Sequence, residues 1–479
     1  MATFRGRSEE LNSLRSLINF KKASLAVILG RRRIGKSSLV HEFSKEFKKF
    51  YEFHGLAPRK STNNLTQLNN FAAQLKEQFG GAVTKLTSWD EAFDQLYKEL
   101  LSSAHKKTTL LFFDELSWMG KYDQDFAGKL KIAWDTKFSK IPNLIMILCG
   151  SVSSWIQNNI LQSTGFVGRV SLTLRLGELD LKNSIKFWGE KSDQISIFER
   201  LNYLCVTGGI PKYLEEYDLK NSTADNLKRL CFTKGGYLFE DFERIFNDIF
   251  EKKSELYKKI TKVIAEKNYT AQEISDTLKI SSSGEFIKSL QDLELSGFIT
   301  RDYTYKPNGL RSKLSKYRIS DNYLRFYLKY IDKNTDKINK DIFKFTSFSD
   351  LLSWESILGL QFENLILNRI PDLLRALGLE NEKIISASPY FQNRTNKTKA
   401  CQIDLLIECK PNNFFICEIK YRKQITTKVI EEVKNKIASL KLPKYCSKRA
   451  VLIYAGELNE GVKESEYFDK IIEFSDLLK

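Results

Sequence analysis

The most restrictive stretch of this chain is residues 25–40, LAVILGRRRIGKSSLV. Five apolar residues, Leu25 to Leu29, read as a strand buried on both faces, because nothing polar interrupts them. The run breaks into Gly30, Arg31, Arg32, Arg33, Ile34, Gly35, Lys36, Ser37 and Ser38, then resumes as a helical pattern. Paired glycines followed by Lys-Ser, set between a strand and a helix, have the spacing of a phosphate-binding loop. Glycine at 30 and 35 lets the backbone curl until its N–H groups face a β-phosphate, and the helix N-terminus adds its own donors. Lys36 is long enough to reach the β- and γ-phosphates, and the Ser37 hydroxyl suits Mg²⁺. The stretch therefore points to an α/β fold with a parallel sheet and to a bound nucleoside triphosphate.

A second buried strand, residues 109–113, delivers Asp114 and Glu115 at its C-terminal end, where open α/β sheets bind ligands. Asp114 is placed to hold Mg²⁺ opposite Ser37. Glu115 is placed to polarise an attacking water, which hydrolysis requires and mere binding does not. A third apolar run, residues 144–149, ends in Gly150-Ser151. Ser151 fits two roles at this point, a γ-phosphate contact or the cap of the helix that follows.

With 479 residues, about three domains are expected, and 42% hydrophobic residues supply their cores. The net charge of +17, with an isoelectric point near 9.3, favours a polyanionic partner such as DNA. A general Lys bias would give the same excess. Seven cysteines without a CxxC pair argue against a zinc site and for a reducing compartment. His41, His54 and His105 are far apart, leaving little material for a histidine metal site or triad. The polar start, MATFRGRSEE, is not a signal peptide, and no apolar stretch has membrane-spanning length. A cytoplasmic protein with no membrane partner is expected.

The segments FRGRSEEL, GRRRIGKSSL, LLFFDEL, LCGSVSSWI and GGIPKYL, spread over residues 4–214, resemble an ATPase family common in archaea, within the STAND-like branch of the AAA+ ATPases. The resemblance implies an ATPase core over residues 1–180 and a helical lid over 181–250. It implies that Gly6 and Arg7 lie against the adenine and that Gly209 and Pro211 approach the same base from the lid. Arg169 occupies the place of an arginine that contacts the γ-phosphate, within the chain or in a neighbouring copy. A guanine-reading NKxD signature is missing, so ATP with Mg²⁺ is expected rather than GTP.

Residues 251–332 read as a winged helix-turn-helix. Three helical stretches, the second opened by the capping box Thr270 to Glu273, precede a hairpin around Pro307-Asn308-Gly309. Residues 301–330 carry Arg301, Lys306, Arg311, Lys313, Lys316, Arg318, Arg325 and Lys329 against Asp302 and Asp321, with tyrosines interleaved. Phosphate contact and an ordinary solvated face both fit. The third helix holds Glu285, Asp292 and Glu294 and only Lys288, so base-specific readout is not expected. DNA contact without sequence specificity, or docking within the chain, are the alternatives.

Residues 333–479 contain CQIDLLIECKPNNFFICEIKY, two apolar strands around a turn. If Cys409 faces Asn413, then Asp404 lies opposite Glu418, and Lys420 shares the face of Glu418. Like charges on apolar strands are costly unless a cation bridges them. A cross-strand ion pair on a solvated face is the plainer possibility. The Asp-x13-Glu-x-Lys pattern is similar to the PD-(D/E)xK nuclease core, which implies that Asp404 and Glu418 bind Mg²⁺, with Glu363 as the helical acid, and that Lys420 activates water. Ile403 stands where that motif has proline. The expected whole is an Mg²⁺-dependent ATPase whose nucleotide state controls a winged helix and a nuclease-like domain acting on DNA. The alternative is an ATP-dependent switch or scaffold with an inactive C-terminal domain that binds DNA or protein but cuts nothing, with self-association of the chain as a further partner.

Overall fold

The computed structural model describes all residues except 1–3, 82–84, 104–107, 151–152, 251–253, 344–353, 395 and 397–398. Ser151 and His105 thus lie outside the described residues. The chain divides into two compact units, Met1–Glu178 and Leu179–Lys479.

The first unit is built on β1 (Ser24–Leu29), β2 (Lys49–His54), β3 (Thr109–Asp114), β4 (Leu144–Cys149) and β5 (Val170–Arg175). They pair in the order β2-β3-β4-β1-β5, all parallel. The three inner strands are buried at every position, which is why they read as unbroken apolar runs. β2 and β5 are edges: β5 alternates half-buried with exposed positions, and β2 mixes half-buried and buried positions up to the exposed His54. Phe53, Phe71, Trp89, Phe93, Phe113 and Phe126 fill one side of the sheet. Because the strands run the same way, the loops after β1 and β3 emerge at one edge.

The second unit opens with lid helices, among them Ile197–Thr207, Pro211–Glu215 and Thr223–Cys231. Helices Ser254–Glu266, Ala271–Leu278 and Gly284–Leu295 follow. Thr270 and Glu273 cap the second of these reciprocally, and Gly297, at φ 77°, ends the third. β6 (Ile299–Lys306) and β7 (Leu310–Ile319) then pair as an antiparallel ribbon. Next come the helix Trp354–Leu367, β8 (Ile384–Gln392), β9 (Cys401–Cys409), β10 (Asn413–Ile425), the helix Lys428–Ser439, β11 (Ser447–Leu458) and β12 (Lys470–Glu473). Their sheet order is β12-β11-β10-β9-β8. β8, β9 and β10 are antiparallel, while β10 to β11 is a parallel step crossed by the helix Lys428–Ser439.

The β6–β7 ribbon is not a free wing. Ser388 Oγ donates to the Tyr303 carbonyl at 2.9 Å, and the Phe391 N–H donates to Thr304 Oγ1 at 3.1 Å. Arg318, buried, donates to Asp302 at 2.7 Å and to Asn368 at 2.9 Å, and also bonds Asn364. Buried Arg325 donates to the Leu360 and Ile319 carbonyls. Lys329 pairs with Glu266. Arg301 donates to Ser315 Oγ at 2.9 Å, so four of the eight cations counted toward a phosphate-binding face are engaged within the fold, because residue type reveals charge but not the direction of the side chain. No helix of the described residues is long and apolar enough to cross a membrane.

Candidate nucleotide and carboxylate sites

In the first unit, β1 ends at Gly30, whose φ is +152° and where an added Cβ would lie 2.7 Å from the Leu176 carbonyl oxygen. Only glycine fits that approach. Arg33 (φ 70°) and Gly35 (φ 88°) carry the loop through the left-handed region, and the loop helix Lys36–Ser44 begins immediately. Lys36 Nζ donates to the Gly30 and Arg31 carbonyls at 2.9 and 3.0 Å, so its ammonium rests on the loop it would serve. Ser37 Oγ donates to Asp114 Oδ2 at 2.7 Å, while Asp114 Oδ1 accepts the Glu115 N–H at 2.9 Å. Glu115 itself is held at φ 51°, a costly conformation for a non-glycine residue. Arg31 and Ile34 are buried, Arg32 is half-buried and Ser38 is exposed. Arg7 donates to the Ile34 and Gly177 carbonyls, bracing the loop and the exit of β5. Gly6, just before it, also has positive φ at 73°.

One expectation needs correction. β5 runs beside β1 with Val170 level with Leu25 and Arg175 level with Leu29. Arg169 therefore lies at the N-terminal end of the sheet, about 17 Å along the strand from where the phosphate loop leaves. Both Asp135 oxygens hold its guanidinium, at 2.6 and 2.9 Å. Arg169 does not reach the γ-phosphate of its own chain.

A second correction concerns histidine. His41 and His54 are not isolated: both contact Glu52, at 2.9 and 3.2 Å. Burial would raise the Glu52 carboxyl, but the bonds from His41 and His54 outweigh it and bring it down to about 2. The Glu52 bond in turn raises both imidazoles. Spacing in the chain hid this cluster, since it joins the loop helix to β2. The period-two pair Glu52 and His54 was the one signal available.

Gly209 and Pro211 belong to the second unit and have uses there. A Cβ on Gly209 would sit 2.4 Å from the Leu179 carbonyl oxygen, and Pro211 stands in the first turn of its helix.

On β9 and β10, Asn413 pairs with Cys409 and the register continues to Cys417 with Leu405, which brings Glu418 beside Asp404. Asp404 is 9% exposed and Glu418 1%. Asp404 Oδ2 accepts the Ile419 N–H at 2.9 Å. Lys420 Nζ lies 2.7 Å from Glu418 Oε1 as an ion pair, yet no donor is aligned on that buried oxygen. Lys436, from the helix Lys428–Ser439, stands 2.5 Å from Glu418 Oε2 and 3.7 Å from Asp404 Oδ1. It was not legible in sequence, because it arrives from another element. Burial, then the Glu418 charge, pushes Asp404 up to about 6, and burial, then the Asp404 charge, pushes Glu363 up to about 7. For Lys420 and Lys436 burial favours the neutral amine, but the facing carboxylates prevail and both end raised. Three carboxyls and two ammonium groups thus share one buried patch. Carboxylates gathered in one buried patch offer the all-oxygen donor set that a hard divalent cation takes.

Residues 4–217 match the family described as an ATPase domain predominantly from Archaea, so the chain carries an ATPase domain of archaeal type. An uncharacterised protein of Methanocaldococcus jannaschii is 25% identical over 363 residues, covering 75% of each chain. The Walker-type ATPase PABY2304 of Pyrococcus abyssi superposes with a TM-score of 0.51 at 20% identity, over 68% of this chain and 96% of that one, a likeness of fold. The ORC2 protein of Aeropyrum pernix, in ADPNP–ADP complexes, gives a TM-score of 0.42 at 15% identity, over 71% and 95%.

Proposed function

We propose, from the archaeal-type ATPase domain as premise, that the chain hydrolyses ATP and uses its nucleotide state to govern a nuclease-like second unit. The observation that carries the first half is the 2.7 Å bond from Ser37 to Asp114, which joins the loop serine to the strand-end acid. Ser37 and Asp114 would hold Mg²⁺, which supplies charge neutralisation of the triphosphate. Lys36 would exchange its loop carbonyls for phosphate oxygens, and Glu115 would orient and deprotonate the attacking water. Arg169 would meet a γ-phosphate only on a neighbouring copy. Lys36→Ala should abolish nucleotide binding, whereas Glu115→Gln should bind ATP and release phosphate at least about a hundredfold more slowly. Normal turnover by Lys36→Ala would overturn the assignment.

The order of residues 354–458, two helices, three strands, a helix and a strand, with Glu363, Asp404, Glu418 and Lys420 on one patch, supports a PD-(D/E)xK-like reading. The first two acids and Glu418 would hold a divalent cation, and Lys420 would fix the attacking water or a phosphate oxygen. The ribbon and three helices before it support a winged helix, with Lys306, Arg311 and Lys313 as its exposed cations for DNA phosphates.

A second reading rests on Lys436. Its ammonium stands between Asp404 and Glu418, as an internal cation would in a switch or scaffold that cuts nothing. Plasmid and single-stranded DNA incubated with Mg²⁺ or Mn²⁺ decide between the two. Cleavage lost in both Asp404→Ala and Lys420→Ala supports the nuclease, whereas binding without cleavage at either metal supports the switch.

A further inference from the structure

The chain has three histidines, and two of them meet one carboxylate beside the proposed Mg²⁺ position. Glu52 and His54 are two apart on β2 and so share a face. The loop helix brings His41, and the pairing of β2 with β3 sets His54 next to Asp114. His41 Nε2 lies 2.9 Å from Glu52 Oε1, His54 Nε2 3.2 Å from the same oxygen, and His54 Nδ1 4.0 Å from Asp114 Oδ2. One ligand atom each from Glu52, His54 and Asp114 fall within 4.8 Å of one another. The side chains of His41 and His54 are 51% and 55% exposed, so an ion reaches them from solvent.

We infer that Glu52, His54 and Asp114, with His41 bonded to Glu52 behind them, bind a transition-metal dication of the Zn²⁺ class at a site that shares Asp114 with the position proposed for Mg²⁺. Mg²⁺ takes oxygen ligands and sheds water reluctantly, whereas imidazole paired with carboxylate selects Zn²⁺ or Co²⁺. Ligands at tetrahedral Zn²⁺ bond lengths stand about 3.3 Å apart, so the three, now within 4.8 Å of one another, close by up to about 1.5 Å on binding. The half-exposed imidazole of His54, at the end of the edge strand β2, accommodates that by rotation. Asp114 Oδ2 also takes the Ser37 hydroxyl, so occupancy here draws on the carboxylate that the Mg²⁺ position uses. Zn²⁺ therefore opposes Mg²⁺ at the nucleotide site, and a cell's transition-metal level becomes an input to the ATPase unit.

The test uses the full chain, stripped of metal and free of nucleotide. Zn²⁺ is titrated calorimetrically and Co²⁺ by its visible absorption. One equivalent beyond any held by the carboxylates of the second unit should bind, with the weak ligand-field bands of nitrogen and oxygen donors rather than the intense charge transfer of thiolates. His54→Ala and His41→Ala should each weaken binding at least about tenfold, and Glu52→Gln, which preserves side-chain shape, should do the same. Nucleotide binding with Mg²⁺, measured with a fluorescent ATP analogue, reports that each variant is folded. Zn²⁺ affinity unchanged in the histidine variants, or in Glu52→Gln should they misfold, overturns the site. So does a wild-type chain that binds neither metal.

Discussion

Replacing Glu363 with glutamine should remove a pH-dependent weakness from the second unit. The Glu363 carboxyl, normally near 4.5, is pushed up to about 7 by burial and by the Asp404 charge. That rise corresponds to about 3 kcal/mol at 1.36 kcal/mol per unit. A carboxyl raised in the folded state contributes its stability in full below about pH 4.5, and the contribution is lost as pH rises through about 7. Metal-free wild type should therefore open more readily around Asp404 and Glu418 at pH 8 than at pH 4.5. Asp404, raised to about 6, adds in the same direction. Glu363→Gln retains the shape and cannot ionise, so the Glu363 part of the loss should vanish. Hydrogen exchange of amides in residues 401–421, read by mass spectrometry with EDTA present, measures this locally. After correction for the intrinsic pH dependence, wild-type protection should fall by up to about a hundredfold more than that of the variant. Mg²⁺ at pH 8 should restore protection to wild type and do little for Glu363→Gln, which lacks a proposed ligand. Parallel loss of protection in the two proteins would refute the buried-carboxyl account.

Three further outcomes are expected. Gly30→Ala should cripple ATP-analogue binding, since its Cβ would meet the Leu176 carbonyl at 2.7 Å on a backbone at φ +152°; wild-type affinity would show that the loop relaxes freely. Arg318→Ala should destabilise the second unit by about 3–5 kcal/mol in urea unfolding, because Asp302 stays buried without its partner. The double variant Asp302→Asn with Arg318→Met should recover most of that. Lys436→Ala should strengthen Mn²⁺ binding to the second unit by about tenfold or more, by removing an ammonium at 2.5 Å from Glu418; weaker binding in calorimetry would mean that Lys436 helps the cation rather than replacing it.

Local chemistry was legible in the chain. The strand–glycine–lysine pattern of residues 25–37, the acids closing residues 109–115 and the Thr270–Glu273 cap are all spelled by neighbours in sequence. Backbone sterics and hydrogen-bond reach act over a few residues. The hairpin register was legible for the same reason, since a short turn fixes which residues of β9 and β10 face each other.

What the tertiary structure alone decided was which distant side chains meet and which way each points. Parallel alignment of β5 with β1 put Arg169 at the end of the sheet away from the phosphate loop. Docking of the β6–β7 ribbon on β8 and on the helix Trp354–Leu367 turned Arg318 and Arg325 from apparent DNA contacts into buried braces. Crossover helices carried Lys436 to Glu418 and His41 to Glu52. Sequence by itself determined the loop, the acids and the alternation of strands, because those depend on covalent neighbours. The partners of each charge depended on packing between elements tens or hundreds of residues apart, where burial makes an unmatched ion costly and so selects its counter-charge.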